Sequence, residues 1–216
     1  MKKHLICTFV ALSAFAVQAD ETMIRHQLTA DEKDQQFRII AKKPEHFNRC
    51  PSEKASVKAS CDKKFLRFSV SMADNDIICE ATKNQDSLKN FGDAIQIFVK
   101  SEKDTFIWEF QIAPNGKKSC FFHMGPGRMF YPEAGSKFPD YTVKNTISNG
   151  KWEMVAEIPL EIFKEKGFKF TDDEKWTAIV VRHNFSRYHN ERETSSYPQT
   201  IGNVADPDYY AELILK

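Results

Sequence analysis

The chain has 216 residues, 41% hydrophobic and 28% charged, with 31 Lys and Arg against 30 Asp and Glu, a formal net charge of +1. This composition is globular and excludes disordered, collagen-like and coiled-coil classes, and a charge near zero gives no electrostatic case for nucleic acid or an anionic membrane. Eighteen Phe, six Tyr and three Trp against eight Gly suit a sheet-rich core, because aromatic rings pack well on pleated surfaces.

The first 19 residues read as a targeting segment. Lys2 and Lys3 precede an apolar run from Leu5 to Val17, and Val17-Gln18-Ala19 precedes Asp20. The run is too short to span a bilayer comfortably, so it predicts a signal peptide cut after Ala19, a secreted or periplasmic protein and no membrane span after cleavage. Loss of Lys2 and Lys3 leaves 29 basic and 30 acidic residues, net −1. Residues 20–36 are polar without clear periodicity and predict a poorly ordered lead-in. Residues 37–216 predict a single domain.

Within that domain, period-two runs predict strands. Leu66, Phe68, Val70 and Met72 alternate with polar residues; Ile95, Ile97 and Val99 alternate with Gln96 and Phe98. Trp108, Phe110 and Ile112 alternate with Ile107, Glu109 and Gln111. Trp152, Met154, Ala156 and Ile158 form a further run, as do Trp176, Ala178, Val180 and Arg182. Turn signals separate them: Asp74-Asn75-Asp76, Pro114-Asn115-Gly116, Asn149-Gly150 and Asp172-Asp173. Asn149-Gly150 predicts a type I′ hairpin. One short helix is expected from Pro159 to Gly167 and a further turn of helix near residues 85–90. Strands every 10 to 20 residues without a long helical pattern predict an all-β antiparallel sandwich of jelly-roll or immunoglobulin-like architecture. Trp152, Ile158 and Phe110 are expected in its core.

Four cysteines remain after cleavage, Cys50, Cys61, Cys79 and Cys120. An even count in an exported chain predicts up to two disulfides among them, with the pairing open. No C-x-x-C, G-x-S-x-G, H-E-x-x-H or Gly-rich phosphate loop is present, so the zinc-ribbon, thioredoxin, hydrolase, metalloprotease and nucleotide readings lose their motifs. Asp74 and Asp76 supply oxygen ligands of the kind calcium takes. His123, Met124, Met72, Met129 and His183 are candidate axial ligands for a b-type haem, which leaves a haem-binding electron-transfer sandwich as one alternative function. A ligand-free interaction domain is another. Sugar binding needs aromatic faces flanked by amide, carboxylate and Arg groups. The stretches Arg182-His183-Asn184-Phe185-Ser186-Arg187-Tyr188 and Glu193-Thr194-Ser195-Ser196-Tyr197-Pro198 combine those types.

Five segments in order resemble the carbohydrate-binding module family 9-like domains. They are Phe65 to Asp76; Phe91-Gly92-Asp93-Ala94-Ile95-Gln96-Ile97-Phe98; Trp108 to Gly116; Gly150-Lys151-Trp152 through Ile158-Pro159-Leu160; and Trp176 through Ser196 to Leu213. The resemblance covers residues 37–216. It implies a secreted, non-catalytic β-sandwich that binds a sugar or a polysaccharide end in a polysaccharide-degrading system, and it implies carbohydrate as the partner. The chain carries Gln96 where the family has Glu, Val155 where Glu is expected after Trp152, and Ser196-Tyr197 where the family has Ser-Trp. Phe91 is the aromatic nearest to Asp93. Transferred residue by residue, the ligand set is Phe91, Gln96, Arg182, Asn184 and Tyr197, expected to line one concave site. Gln96 should face away from Ile95 and Ile97. Arg182 and Asn184 share the inward parity of Trp176 and Val180, so they reach a rim only if their strand ends or bulges near Val181.

Overall fold

A computed structural model of the chain describes residues 26–29, 35–43, 47–124, 129–130, 140–164, 174–188 and 192–214. The predicted signal segment lies outside these residues. The described strands are β1 (Gln27–Leu28), β2 (Gln35–Gln36), β3 (Arg38–Ile39), β4 (Ala55–Cys61), β5 (Phe65–Ala73), β6 (Ala94–Ser101), β7 (Ile107–Ile112), β8 (Lys118–His123), β9 (Met129–Phe130), β10 (Thr142–Ser148), β11 (Lys151–Pro159), β12 (Trp176–Asn184), β13 (Glu193–Tyr197) and β14 (Ala211–Leu213).

They form two sheets. The larger has nine strands along the path β1-β14-β12-β6-β7-β8-β9, with β13 joining β12 to β3; the smaller has five in the order β10-β11-β5-β4-β2. All pairings are antiparallel except β1 with β14. The period-two sequence runs explain the packing. Leu66, Phe68, Val70 and Met72 of β5 and Trp152, Met154, Ala156 and Ile158 of β11 face Ile95, Ile97, Val99, Trp108, Phe110, Ile112, Ala178 and Val180 of the larger sheet in one continuous apolar core. The fold is the expected all-β sandwich. Trp152, Ile158 and Phe110 are each fully buried in it.

Local expectations meet the structure with some corrections. Two segments of the expected lead-in belong to the sheets: Leu28 of β1 and Gln35 of β2 are both buried. Helix α1 spans only Glu161–Lys164 among the described residues and sends Ile162 and Phe163 inward. The second helical turn is a 3-10 helix, Leu88–Asn90. The β10–β11 connection is the two-residue Asn149-Gly150 loop, with Ser148 opposite Lys151. Gly150 has φ +70°, but the positive-φ non-glycines among the described residues are Asn48 and Gln85. Type I′ needs both central residues at positive φ, so this turn is not one.

The larger sheet is covered on both sides. Phe98, Ile107, Ile179 and Val181 point away from the main core and form a second cluster with Tyr210, backed by Ile40 and Val204. The chain after β13 thus covers part of the outer face, and residues 85–91 cover another part. Ser119 Oγ donates to Asp86 O, and Lys89 N donates to Gln111 Oε1 at 3.4 Å.

Candidate functional site

Between these two coverings, the outer face of the larger sheet carries polar side chains where the pattern would otherwise place apolar ones. Antiparallel register sets them side by side. Gln96 of β6 lies opposite Gln111 of β7 and Val181 of β12; His183 lies opposite Ala94; Glu109 lies opposite Phe98 and Phe121. Alternation along each strand puts Gln96, Glu109, Gln111, His123 and His183 on one face. All five are buried.

Their hydrogen bonds are continuous. Glu109 Oε1 accepts from Gln96 Nε2 and Gln111 Nε2, each at 2.5 Å, and Glu109 Oε2 meets His123 Nε2 at 2.6 Å. His183 Nε2 bonds Gln96 Oε1. Burial pushes the Glu109 carboxyl up, but the hydrogen bonds from His123, Gln111 and Gln96 and the charge of His123 outweigh it and hold Glu109 below the usual carboxylate range. Burial, with Arg192 and Lys89 nearby, pushes His183 down to about 3. Neutral His183 has one N–H. Because Gln96 Oε1 is an acceptor, that N–H is at Nε2, and Nδ1 is a bare acceptor. His183 Nδ1 and Ser196 Oγ are both buried without a hydrogen-bond partner.

The sequence-derived ligand set does not converge. Gln96 is in the array. Phe91, 37% exposed, follows the Leu88–Asn90 turn and stands three residues before Ala94, the partner of His183. Arg182, Asn184 and Tyr197 face the other way. Strand β12 keeps its register with β6 and β13 past Val181, so no bulge turns Arg182 outward. Arg182 is 1% exposed. It donates to Asp74 Oδ2 at 3.2 Å, Glu53 Oε2 at 3.3 Å, Asn184 Oδ1 at 3.0 Å and the carbonyls of Ala73 and Glu53. Asn184 Nδ2 donates to Glu53 Oε2. Tyr197 packs against the main core and donates its hydroxyl to Gln27 O. These three residues tie strands and loops together inside the sandwich.

The remaining candidates also find structural partners. Asp74 is held by Arg182, and Asp76 Oδ2 accepts from Ser186 Oγ and Arg187 N at 3.1 and 2.8 Å. Both carboxylates suggested for calcium are thus engaged by protein donors, and no group of three or more His, Cys, Asp or Glu among the described residues could hold a metal. The four cysteines are free thiols, which corrects the disulfide expectation: Cys50 is exposed, Cys120 is buried in the main core, Cys61 packs against that core, and Cys79 sits beside Ala81, Leu88 and Ala113. Of the haem candidates, Met72 is in the main core, Met124 is exposed, and the two histidines belong to the array. The Met129 side chain lies outside the described residues. Glu109 and Gln111 were legible only as polar positions in an otherwise apolar run. Their shared parity with Gln96 on the neighbouring strand was the available signal.

No protein-family model matches the chain, and no curated protein sequence matches it. Solved structures do. A candidate carbohydrate-binding protein from Bacteroides uniformis superposes with a TM-score of 0.62 at 12% identity, over 83% of this chain and 86% of its own. A carbohydrate-binding module family 9 (CBM9) protein from Caldicellulosiruptor kristjanssonii in complex with glucose gives 0.57 at 14%, over 88% and 90%. The fold is similar to that of a CBM9. The complex with cellotriose gives the same TM-score and identity over 89% and 93%. In this chain the array occupies the outer face of the nine-stranded sheet, and the buried Arg182 cluster lies between that sheet and the smaller one.

Proposed function

We propose that the chain is a secreted, non-catalytic carbohydrate-binding module that takes a sugar or a polysaccharide end on the outer face of the larger sheet, in a polysaccharide-degrading setting. The observation that carries this reading is the buried polar array, whose His183 Nδ1 has no hydrogen-bond partner, with the equally unpartnered Ser196 Oγ opposite Val181 on the same face. A buried polar atom without a partner costs about 1–3 kcal/mol. A sugar hydroxyl relieves that cost, because it donates to Nδ1 and exchanges hydrogen bonds with Ser196. Phe91, three residues before Ala94, the partner of His183, offers an exposed ring for an apolar sugar face. Glu109 has both oxygens occupied by Gln96, Gln111 and His123, so it acts as an anchor for those side chains and not as a proton donor. The CBM9 fold, solved elsewhere with glucose and cellotriose, supports the same reading.

The test is calorimetric titration of the exported protein with glucose and cellotriose, backed by a glycan array. Saturable binding is expected, abolished by Gln96→Ala and weakened by about two- to tenfold by Phe91→Ala, the range stacking supplies. A folded protein that binds no glycan overturns the proposal.

A further inference from the structure

The chemistry around the two unpartnered atoms is cationic. Lys89, half-buried, lies over the array with its amide on Gln111. Arg192, exposed, donates through Nη1 to the Lys89 carbonyl and holds its guanidinium 5.6 Å from the Phe185 ring. Arg38 of β3 stands opposite Ser196 of β13, but its Nη1 donates to the Phe37 carbonyl at 3.1 Å and its strand lies on the far side of β12 from Lys89, so it is not part of this cluster. Neither Lys89 nor Arg192 pairs with a carboxylate among the described residues. The acidic groups nearby are committed elsewhere: Glu109 lies behind Gln96 and is bonded to His123, Asp93 accepts from the amides of Ile78 and Phe185, and Glu193 is bound to Ser52. Two cations without a carboxylate partner among the described residues, beside the unpartnered His183 Nδ1, make a site with excess positive charge and unused hydrogen-bonding capacity.

Resting on the sugar-binding reading above, we infer that this site takes an acidic saccharide, with the anionic substituent of the sugar between Arg192 and Lys89 and its hydroxyls toward His183 and Ser196. A planar guanidinium binds a carboxylate through paired hydrogen bonds and a sulfate ester nearly as well. The shared chemistry is therefore an anion carried on a sugar ring, of which hexuronates and sulfated sugars are the two sources. Neutral sugars use the hydroxyl contacts but leave the two cations unpaired.

Titration of the exported protein with glucose, glucuronate, galacturonate and glucose 6-sulfate, at low and at high salt, tests this. An acidic sugar should bind about tenfold or more tightly than glucose, the scale of one or two charge-assisted hydrogen bonds, and the advantage should shrink as salt is raised. Preference for the uronates or for the sulfate identifies the source. In Lys89→Gln/Arg192→Gln, two changes outside the core, the ratio of acidic to neutral affinity should fall to about one. If glucose binds and no acidic sugar binds more tightly, this inference is wrong while the sugar-binding reading stands. If no sugar binds, both are wrong.

Discussion

Arg182 and His183 are consecutive in β12 and stand on opposite faces of the same sheet. Arg182 points inward to Asp74 and Glu53; His183 points outward to Gln96. The pleat alone separates them. One residue therefore belongs to the framework of the sandwich and its neighbour to the candidate binding face, and substitutions at the two positions should have different consequences.

Arg182→Met should destabilise the fold by about 3–5 kcal/mol, because it leaves the buried Asp74 carboxylate without its cation. Urea unfolding followed by tryptophan fluorescence measures this. Arg182→Lys should recover only part of the loss, since an ammonium cannot reach Asp74, Asn184 and two backbone carbonyls together.

Trp152→Ala should cost about 3–5 kcal/mol by leaving a cavity. Trp152 Nε1 also donates to Asn145 Oδ1 at 3.1 Å, and Asn145 Nδ2 donates to the Ala113 and Pro114 carbonyls. The substitution thus loosens the β7–β8 turn as well. A loss near the half kcal/mol typical of surface changes would contradict the core position.

Glu109→Gln should lower stability by about 1–3 kcal/mol and abolish sugar binding. The replacement brings an amide N–H2 toward groups that already donate, Gln96, Gln111 and His123. Unfolding measurements and titration with the best ligand report the two effects separately.

Two buried groups titrate with opposite sign. His183 is pushed down from 6.5 to about 3 by burial, with Arg192 and Lys89 adding to the effect. The unfolded chain therefore binds the extra proton between those values, and stability is lost as pH falls through that window. Asp93 is pushed up from 3.8 to about 7 by burial, against the amides of Phe185 and Ile78. Here the folded chain holds the extra proton, and stability is lost as pH rises through that window. Each slope reaches about 1.4 kcal/mol per pH unit, so the two offset each other between about pH 4 and 6.5. Wild-type stability should be nearly flat there. His183→Gln should leave stability falling with pH, and Asp93→Asn should leave it rising. Urea midpoints across the range check all three expectations.

Thiol labelling of the native protein should find Cys50 reactive and Cys120 protected. Cys50 is exposed, whereas burial pushes the Cys120 thiol far up and the Cys61 thiol up to about 11. Four thiols should be counted after unfolding without reductant, and a count of zero or two would show that disulfides form.

The period-two runs alone determined the strands of the core and the face each one buries. Leu66 to Met72, Trp152 to Ile158 and Ile95 to Val99 read correctly, because one buried face leaves its imprint on every second residue. They also placed Gln96 away from the core. The partner of that outward face was decided only by tertiary structure. Gln96, Glu109, Gln111, His123 and His183 lie on four strands spread over about 90 residues of chain, and no local pattern relates them until register aligns β12, β6, β7 and β8. The fate of Arg182, Asn184 and Tyr197 depended on the same step. Their residue types suit a ligand, but an unbroken β12 register holds Arg182 inward, where Asp74 and Glu53, more than 100 residues earlier, neutralise it. Alternation is a short-range property of the chain and can be read along it. The pairing of buried polar groups is long-range and exists only once the sheets have closed.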